Sequence, residues 1–195
     1  MKLLIINMYN DQLKYKKSKK NLKYALQGKK LIFKKWNDKQ GIYNTLKNNK
    51  IDGIAGIIIS GSDYFVKEKR HSIIDEIIIK SNIPILAICY GFQYIIDKFG
   101  KHSFIKTHSS GYMEYSAKFS ITKVFNIPKN KYYLFHKDYI VKVPKTFKVI
   151  KKLKNKIIMA YNRKRNILGV QFHPEKYKKS GRIFFNMWIN KCVLF

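Results

Sequence analysis

The chain has 195 residues, with 41 Lys and Arg against 11 Asp and Glu for a formal charge of +30, and it contains two cysteines, Cys89 and Cys192. This length builds a core without help from disulfides or a structural metal. Two distant cysteines give neither a disulfide framework nor zinc spacing, so no metal is expected and the reducing cytoplasm is the expected compartment. The charge by itself suggests nucleic acid or an anionic membrane, but the lysines are spread through nearly every segment beside abundant Ile, Asn, Tyr and Phe. A solvated, compositionally driven surface is therefore the first reading and a polyanion partner the second.

In chain order, Leu3 to Ile6 predicts a first strand; the run from Met1 to Asn7 is too short for a signal peptide or a membrane span, and no membrane partner is expected. Asn7 to Lys17 reads as a polar loop. Ser18 is placed to cap a helix carrying Leu22, Ala25 and Leu26 on one face, closed by Gly28. Leu31, Ile32 and Phe33 predict a second strand, and Ile42, Tyr43 and Leu46 a helix after it. Ile54 to Ser60 is apolar on both faces, as in parallel strands covered by helices. It ends in Ser60-Gly61-Ser62-Asp63, a loop of small residues whose backbone can approach a ligand closely. Lys69 to Lys80 reads as a helix through Ile73, Ile74, Ile77 and Ile78.

The next apolar run, Pro84 to Ile88, stops abruptly at Cys89. Ala87 and Gly91, two positions either side, are small enough for a sharp turn, and Phe92, Ile95, Ile96 and Phe99 continue at helical spacing to Gly100. A strand-to-helix turn of this kind lifts a reactive side chain out of a parallel sheet. The alternation predicts an α/β fold, an open and mostly parallel sheet flanked by helices, with its functional crevice at the carboxyl ends of the strands, where Gly61 and Cys89 both fall. Beyond Gly100, extended segments at 103–106, 112–124, 132–135, 147–150, 157–161 and 167–172 predict a mixed or antiparallel extension. A helix over Gly181 to Asn190 closes a single domain spanning 1–195.

The last extended segment ends in Gly169-Val170-Gln171-Phe172-His173-Pro174-Glu175. In an extended chain His173 and Glu175 point to the same side, and Pro174 keeps His173 extended. An imidazole that moves a thiol proton and a carboxylate that orients the imidazole are what a cysteine nucleophile at 89 needs. The bland readings compete: a lone cysteine is usually a small core residue, as Cys192 is taken to be. His71, His102 and His108 show no ligand spacing and read as surface residues, while His136 stays open between a structural and a substrate-loop role. Tyr112, Tyr115, Tyr132 and Tyr133 are explained by sheet packing more simply than by base stacking.

With these motifs in place, the chain resembles the class I, triad-type glutamine amidotransferases. Their nucleophile motif G-x-C-x-G-x-Q is matched by Ala87 to Gln93 except at its first glycine, and their G-x-Q-F-H-P-E motif is matched in full by Gly169 to Glu175. The loop Ile59-Ser60-Gly61-Ser62 falls where the family carries S-G-G. Cys89-Tyr90-Gly91, Met113-Glu114-Tyr115, and Phe135-His136-Lys137-Asp138 with its trailing Val143-Pro144 and Phe147 are most similar to the amidotransferase subunit or domain of GMP synthases. The start at Asn7 to Gln12 keeps only a trace of the family's D-x-G-x-Q. The resemblance implies that Cys89 attacks the amide of glutamine, giving a thioester and ammonia, with His173 as acid and base and Glu175 orienting it. It also implies an oxyanion hole from the N–H groups of Gly61 and Tyr90, substrate contacts from Gln93, Phe135, Lys137 and Asp138, no cofactor, and ammonia passing to an ATP-pyrophosphatase synthetase subunit on a separate chain that converts XMP to GMP. Three departures stand out: Ala87 for glycine, Ser62-Asp63 for Gly-Pro, and Phe135 for a polar residue. No glycine-rich phosphate loop occurs in the sequence. A free-standing γ-glutamyl hydrolase and a basic nucleic-acid-binding module on an amidotransferase scaffold are the alternatives.

Overall fold

The computed structural model describes residues 1–47, 53–66, 74–77, 82–122 and 124–193. Its first half comprises β1 (Lys2–Asn7), α1 (Gln12–Ala25), β2 (Lys30–Lys35), α2 (Lys39–Lys47), β3 (Ile54–Ile59), β4 (Ile85–Ile88) and α3 (Tyr90–Phe99). The second half comprises β5 (Ile105–Thr107), β6 (Met113–Ile121), β7 (Ile127–His136), β8 (Asp138–Ile140), β9 (Lys148–Leu153), β10 (Lys156–Asn162), β11 (Ile167–Val170) and α4 (Lys178–Trp188).

A nine-stranded sheet runs in the order β2-β1-β3-β4-β11-β10-β8-β5, with β9 also paired to β10. The strands from β2 to β11 are parallel, and the β10 pairings are antiparallel. β3, β4 and β11 are apolar at every position, and β1 is so from Leu3 to Ile6, because both faces are covered. Leu3, Ile5, Leu86 and Ile88 pack into one layer with α1 and α4, and Leu4, Ile6, Ile85 and Ala87 into the other with α2 and α3. Alternation with period two sends neighbours to opposite layers, and each fully buried Ile or Leu contributes about 1.5–3 kcal/mol. The expected antiparallel extension is present, but β6 and β7 leave the sheet and pair with each other as a separate ribbon.

Helix α1 corrects the expected boundary. It begins at Gln12, inside the stretch expected to be a loop, and Asp11 caps it by accepting the Lys14 N–H at 2.8 Å. Ser18 is a buried mid-helix residue and caps nothing. The first turns carry no apolar stripe, and Leu13 is 77% exposed, so only the cap and the helix propensity of lysine mark this start. Gly28, at φ +81, ends the helical unit in the conformation that glycine adopts without strain. Of the helix expected over Lys69 to Lys80, residues 74–77 are described and helical, and the others, His71 among them, lie outside the described residues.

Candidate active site

Strands β3, β4 and β11 cross the sheet in register at Ile59, Ala87 and Gly169. Gly61 and Cys89, each two residues farther along, therefore leave the sheet side by side. Ala87 sits fully buried between its two neighbours, so the missing first glycine of the motif costs no backbone contact. Cys89 has φ 51 and ψ −107, a backbone region rare for any residue with a Cβ, and α3 starts immediately after it. This is the sharp turn read from the sequence. The turn is closed by Cys89 N–H donating to the Val170 carbonyl at 2.7 Å and Gln93 N–H donating to the Cys89 carbonyl at 3.0 Å. Gly91 is glycine because of close approach: a Cβ there would stand 2.8 Å from the Ile59 carbonyl oxygen. Gly169 likewise makes room for the ring of Phe92.

His173 and Glu175 do meet, with Nδ1 and Oε1 2.9 Å apart and both side chains 8% exposed. Their route differs from the expected alternation. His173 is extended, but Pro174 opens a short 3₁₀ turn over Pro174–Lys176, and this turn swings Glu175 back onto the ring. Pro suits the first position of such a turn because its φ is already fixed there. Burial alone would lower the His173 imidazole, but the Glu175 carboxylate and the Cys89 sulfur outweigh it and hold His173 well above the ordinary histidine range. The backbone of His173 is tied to the ribbon by a bridge, in which its main-chain N–H donates to the Tyr133 carbonyl at 2.8 Å.

The sulfur of Cys89 lies 3.5 Å from the Phe135 carbonyl and 3.5 Å from Nε2 of Gln171. Gln93, expected to hold substrate, donates its amide to the Asp138 carbonyl at 2.6 Å and to Gln171 Oε1 at 3.1 Å. Gln171 is thus a direct contact of the Cys89 sulfur that the motif alone did not single out. The carboxylate of Asp138 is buried and accepts from Thr107 Oγ1 at 2.6 Å, while Lys137 Nζ lies 5.0 Å over the ring of Phe65. Phe135 presents its carbonyl to Cys89 and stacks its ring on Tyr112 at 5.1 Å. His136, open between two roles in the sequence, is buried in the cavity wall, and burial with His108 nearby pushes it down to about 4, so it is neutral.

The Gly61 loop carries Ser62 where the family pattern has its second glycine, and Ser62 does not have positive φ. Gly61 itself does not have positive φ, and Ser62 uses its hydroxyl to hold the loop by donating to the Met8 carbonyl at 2.9 Å. What demands glycine at 61 is space, since a Cβ would stand 2.9 Å from His173 Cε1. The cavity over Cys89, about 30 Å³, is bounded by Tyr9, Ser62, Tyr90, Gln93, Phe135 and His173 among others. A second hollow of about 350 Å³ opens on the other side of His173, between α1 and the ribbon, and shares Tyr9, Asp63, Phe135 and His173 with the first. Among the described residues no cluster of His, Cys, Asp or Glu fits a metal ion, and no helix is long and apolar enough to cross a membrane.

A strand-end cysteine at a sharp turn, with a carboxylate-paired histidine from the neighbouring strand, on a mostly parallel sheet, is the layout of one family of amide-handling enzymes. The family model for glutamine amidotransferase class-I matches residues 14–191, and the chain belongs to this family. Among curated proteins it is similar to the glutamine-hydrolyzing GMP synthase of Wigglesworthia glossinidia brevipalpis, 28% identical over 85% of this chain and 33% of that protein. It is 37% identical to the GMP synthase of Borreliella burgdorferi strain N40 over 68% of this chain and 27% of that protein. The chain therefore spans about a third or less of these relatives. Its fold is also that of a Thermoplasma acidophilum protein described as one subunit of a GMP synthase, with a TM-score of 0.72 at 20% identity over 98% of this chain and 94% of that one. The glutaminase domain of Trypanosoma brucei CTPS with bound acivicin aligns at a TM-score of 0.64 and 11% identity over 98% and 94% of the two chains.

Proposed function

We propose that the chain, folded as one domain over 1–195, is a glutaminase that supplies ammonia to a GMP synthase. The observation that carries this reading is the convergence of the Cys89 turn, the 2.9 Å His173–Glu175 pair and the Gly61 loop on one cavity. With Glu175 on Nδ1, the Nε2 of His173 is left to exchange a proton with the nucleophile. The Cys89 sulfur attacks the side-chain carbonyl carbon of glutamine, and the electron pair moves to the oxygen. The N–H groups of Gly61 and Tyr90 stabilise that oxyanion, about 3 kcal/mol for each such donor. His173 then protonates the departing nitrogen, leaving ammonia and a glutamyl thioester. Water, deprotonated by His173, opens the thioester to release glutamate and restore the thiol.

A cavity of about 30 Å³ has the room of roughly one water molecule, so glutamine enters only when a wall moves. Tyr112, half-exposed on the loop before β6 and stacked on Phe135, is the wall residue we assign to that movement. Gln93, Phe135, Lys137 and Asp138 then line the opened site. The likeness across 94% of a protein described as one subunit of its synthase supports an ATP-pyrophosphatase partner on a separate chain. The test measures glutamate release from glutamine and GMP formation from XMP with that partner present. Cys89→Ala is expected to abolish both with glutamine while free ammonia still supports GMP formation. Equal rates for the wild type and Cys89→Ala in every combination would overturn the reading, and full glutaminase rates without any partner would turn it toward a free-standing hydrolase.

A further inference from the structure

The segment that follows β1 is fastened to the Gly61 loop. Ser60 N–H donates to the Ile6 carbonyl at 3.1 Å, Met8 N–H donates to Ser60 Oγ at 2.9 Å, and Ser62 Oγ donates to the Met8 carbonyl at 2.9 Å. The next residue is Tyr9, whose own N–H donates to the buried Asn7 side chain at 3.1 Å. Its ring reaches over Gly61. The position that a Gly61 Cβ would take is 3.1 Å from Tyr9 Oη, 2.9 Å from His173 Cε1 and 3.5 Å from Cys89 Cβ. One phenol hydroxyl, the catalytic imidazole and the nucleophile's stem therefore surround a single point beside the loop that carries an expected oxyanion donor. Tyr9 also lines both hollows that meet at His173.

We propose that Tyr9 is a catalytic residue of this site, its hydroxyl donating a hydrogen bond to the carbonyl oxygen that becomes the oxyanion when Cys89 attacks. This deepens the glutaminase reading and rests on it. The hydroxyl acts as a donor only: it keeps its proton throughout and joins the N–H groups of Gly61 and Tyr90. Its surroundings suit that role. Burial raises the Tyr9 phenol well above its ordinary range, with Cys89, Glu175 and Asp63 adding to the effect, which favours the proton-bearing form that a donor needs. No hydrogen bond from the hydroxyl to another described residue competes with substrate. A side-chain donor also suits a loop whose second glycine is replaced by Ser62, because it adds a hydrogen bond without asking new angles of the backbone.

The test is Tyr9→Phe, which removes the hydroxyl and keeps the ring. Glutamate release is expected to lose roughly 10²-fold in kcat with KM little changed and the melting temperature unmoved. Labelling of Cys89 by a chloromethyl ketone analogue of glutamine, in which the sulfur displaces chloride while the ketone oxygen is held where the oxyanion would form, is expected to slow in parallel. Alkylation by iodoacetamide, which forms no oxyanion, should proceed at the wild-type rate. Unchanged kcat and ketone labelling in Tyr9→Phe would overturn the proposal, as would a change confined to KM or equal slowing of both reagents. If the wild type neither turned over glutamine nor reacted with the ketone at Cys89, the glutaminase reading itself would fall, which is a different result from an active wild type with an equally active Tyr9→Phe.

Discussion

On one side of the cavity, Cys89, Gly61 and His173 follow adjacent strands whose residues run in register through a fully buried core. On the other, Phe135 and Tyr133 belong to a two-stranded ribbon, and Tyr112 to a loop that leaves it 49% exposed. The sheet side offers few alternatives, because moving any strand end disturbs pairing and packing together. The ribbon side touches the site through two backbone carbonyls, of Phe135 and Tyr133, and through stacked rings. The difference suggests a division of labour: the sheet fixes where the reacting atoms stand, and the ribbon and loop decide what is admitted to them.

Substitutions on the sheet side test this most severely. Gly61→Ala places a methyl group 2.9 Å from His173 Cε1, a conflict that the imidazole can relieve only by shifting. We expect kcat to fall roughly 10²-fold with only a small change in melting temperature, since displacement by about 1 Å at a reacting group has that scale of effect. A near-normal kcat would show that the histidine is not held as firmly as the sheet comparison requires.

Glu175→Gln removes the carboxylate that raises His173 against its burial. The alkaline limb of the pH–rate profile, where the imidazolium loses its proton, is expected to move to lower pH. The raised imidazole also sets the sign of the stability difference: the advantage of the wild type over Glu175→Gln is complete below the unfolded histidine value of about 6.5 and fades as pH rises through the folded value. Rate profiles and thermal melts across pH check both, and superimposable profiles would count against the pair as the source of the shift.

Smaller and different in kind is Tyr112→Ala on the ribbon side. It removes the stacked partner of Phe135 from an exposed loop. KM for glutamine should change severalfold while kcat holds within about a factor of two, the pattern of altered binding rather than altered chemistry. A fall in kcat as large as that of Gly61→Ala would erase the proposed division. The least effect is expected from Lys14→Ala, which breaks the 2.9 Å pair with Asp63 on the rim. With the two side chains 55% and 36% exposed, solvent screening limits the change in unfolding free energy to about 0.5 kcal/mol, measurable by denaturant titration.

Much of the sheet side was legible from the sequence because its signals are local. The apolar run ending at Cys89, small residues at 87 and 91, and the His-Pro-Glu sequence each state a conformation within a few residues. The start of α1 was not legible, because a helix whose first turns bury nothing leaves no hydrophobic period to read. The meeting of His173 with Glu175 was foreseen for the wrong reason: the proline starts a turn where an extended chain was expected. Gln171 and Tyr9 were missed for a third reason. Their contacts run across the fold, from the residue after β11 to the Cys89 sulfur and from the segment after β1 to the Gly61 loop, and at Asn7 to Gln12 the family pattern offered only a trace to follow.

The positive φ of 51 at Cys89 also bears on how such a chain can change over generations. Glycine would occupy that angle without a Cβ to strain against, where any other residue forgoes roughly 1–3 kcal/mol of stability. On backbone strain alone, position 89 therefore favours glycine over the cysteine that the proposed chemistry needs. Where selection for the proposed activity lapses, that strain is no longer balanced by function, and the packing of the buried side chain is all that still favours the sulfur at 89.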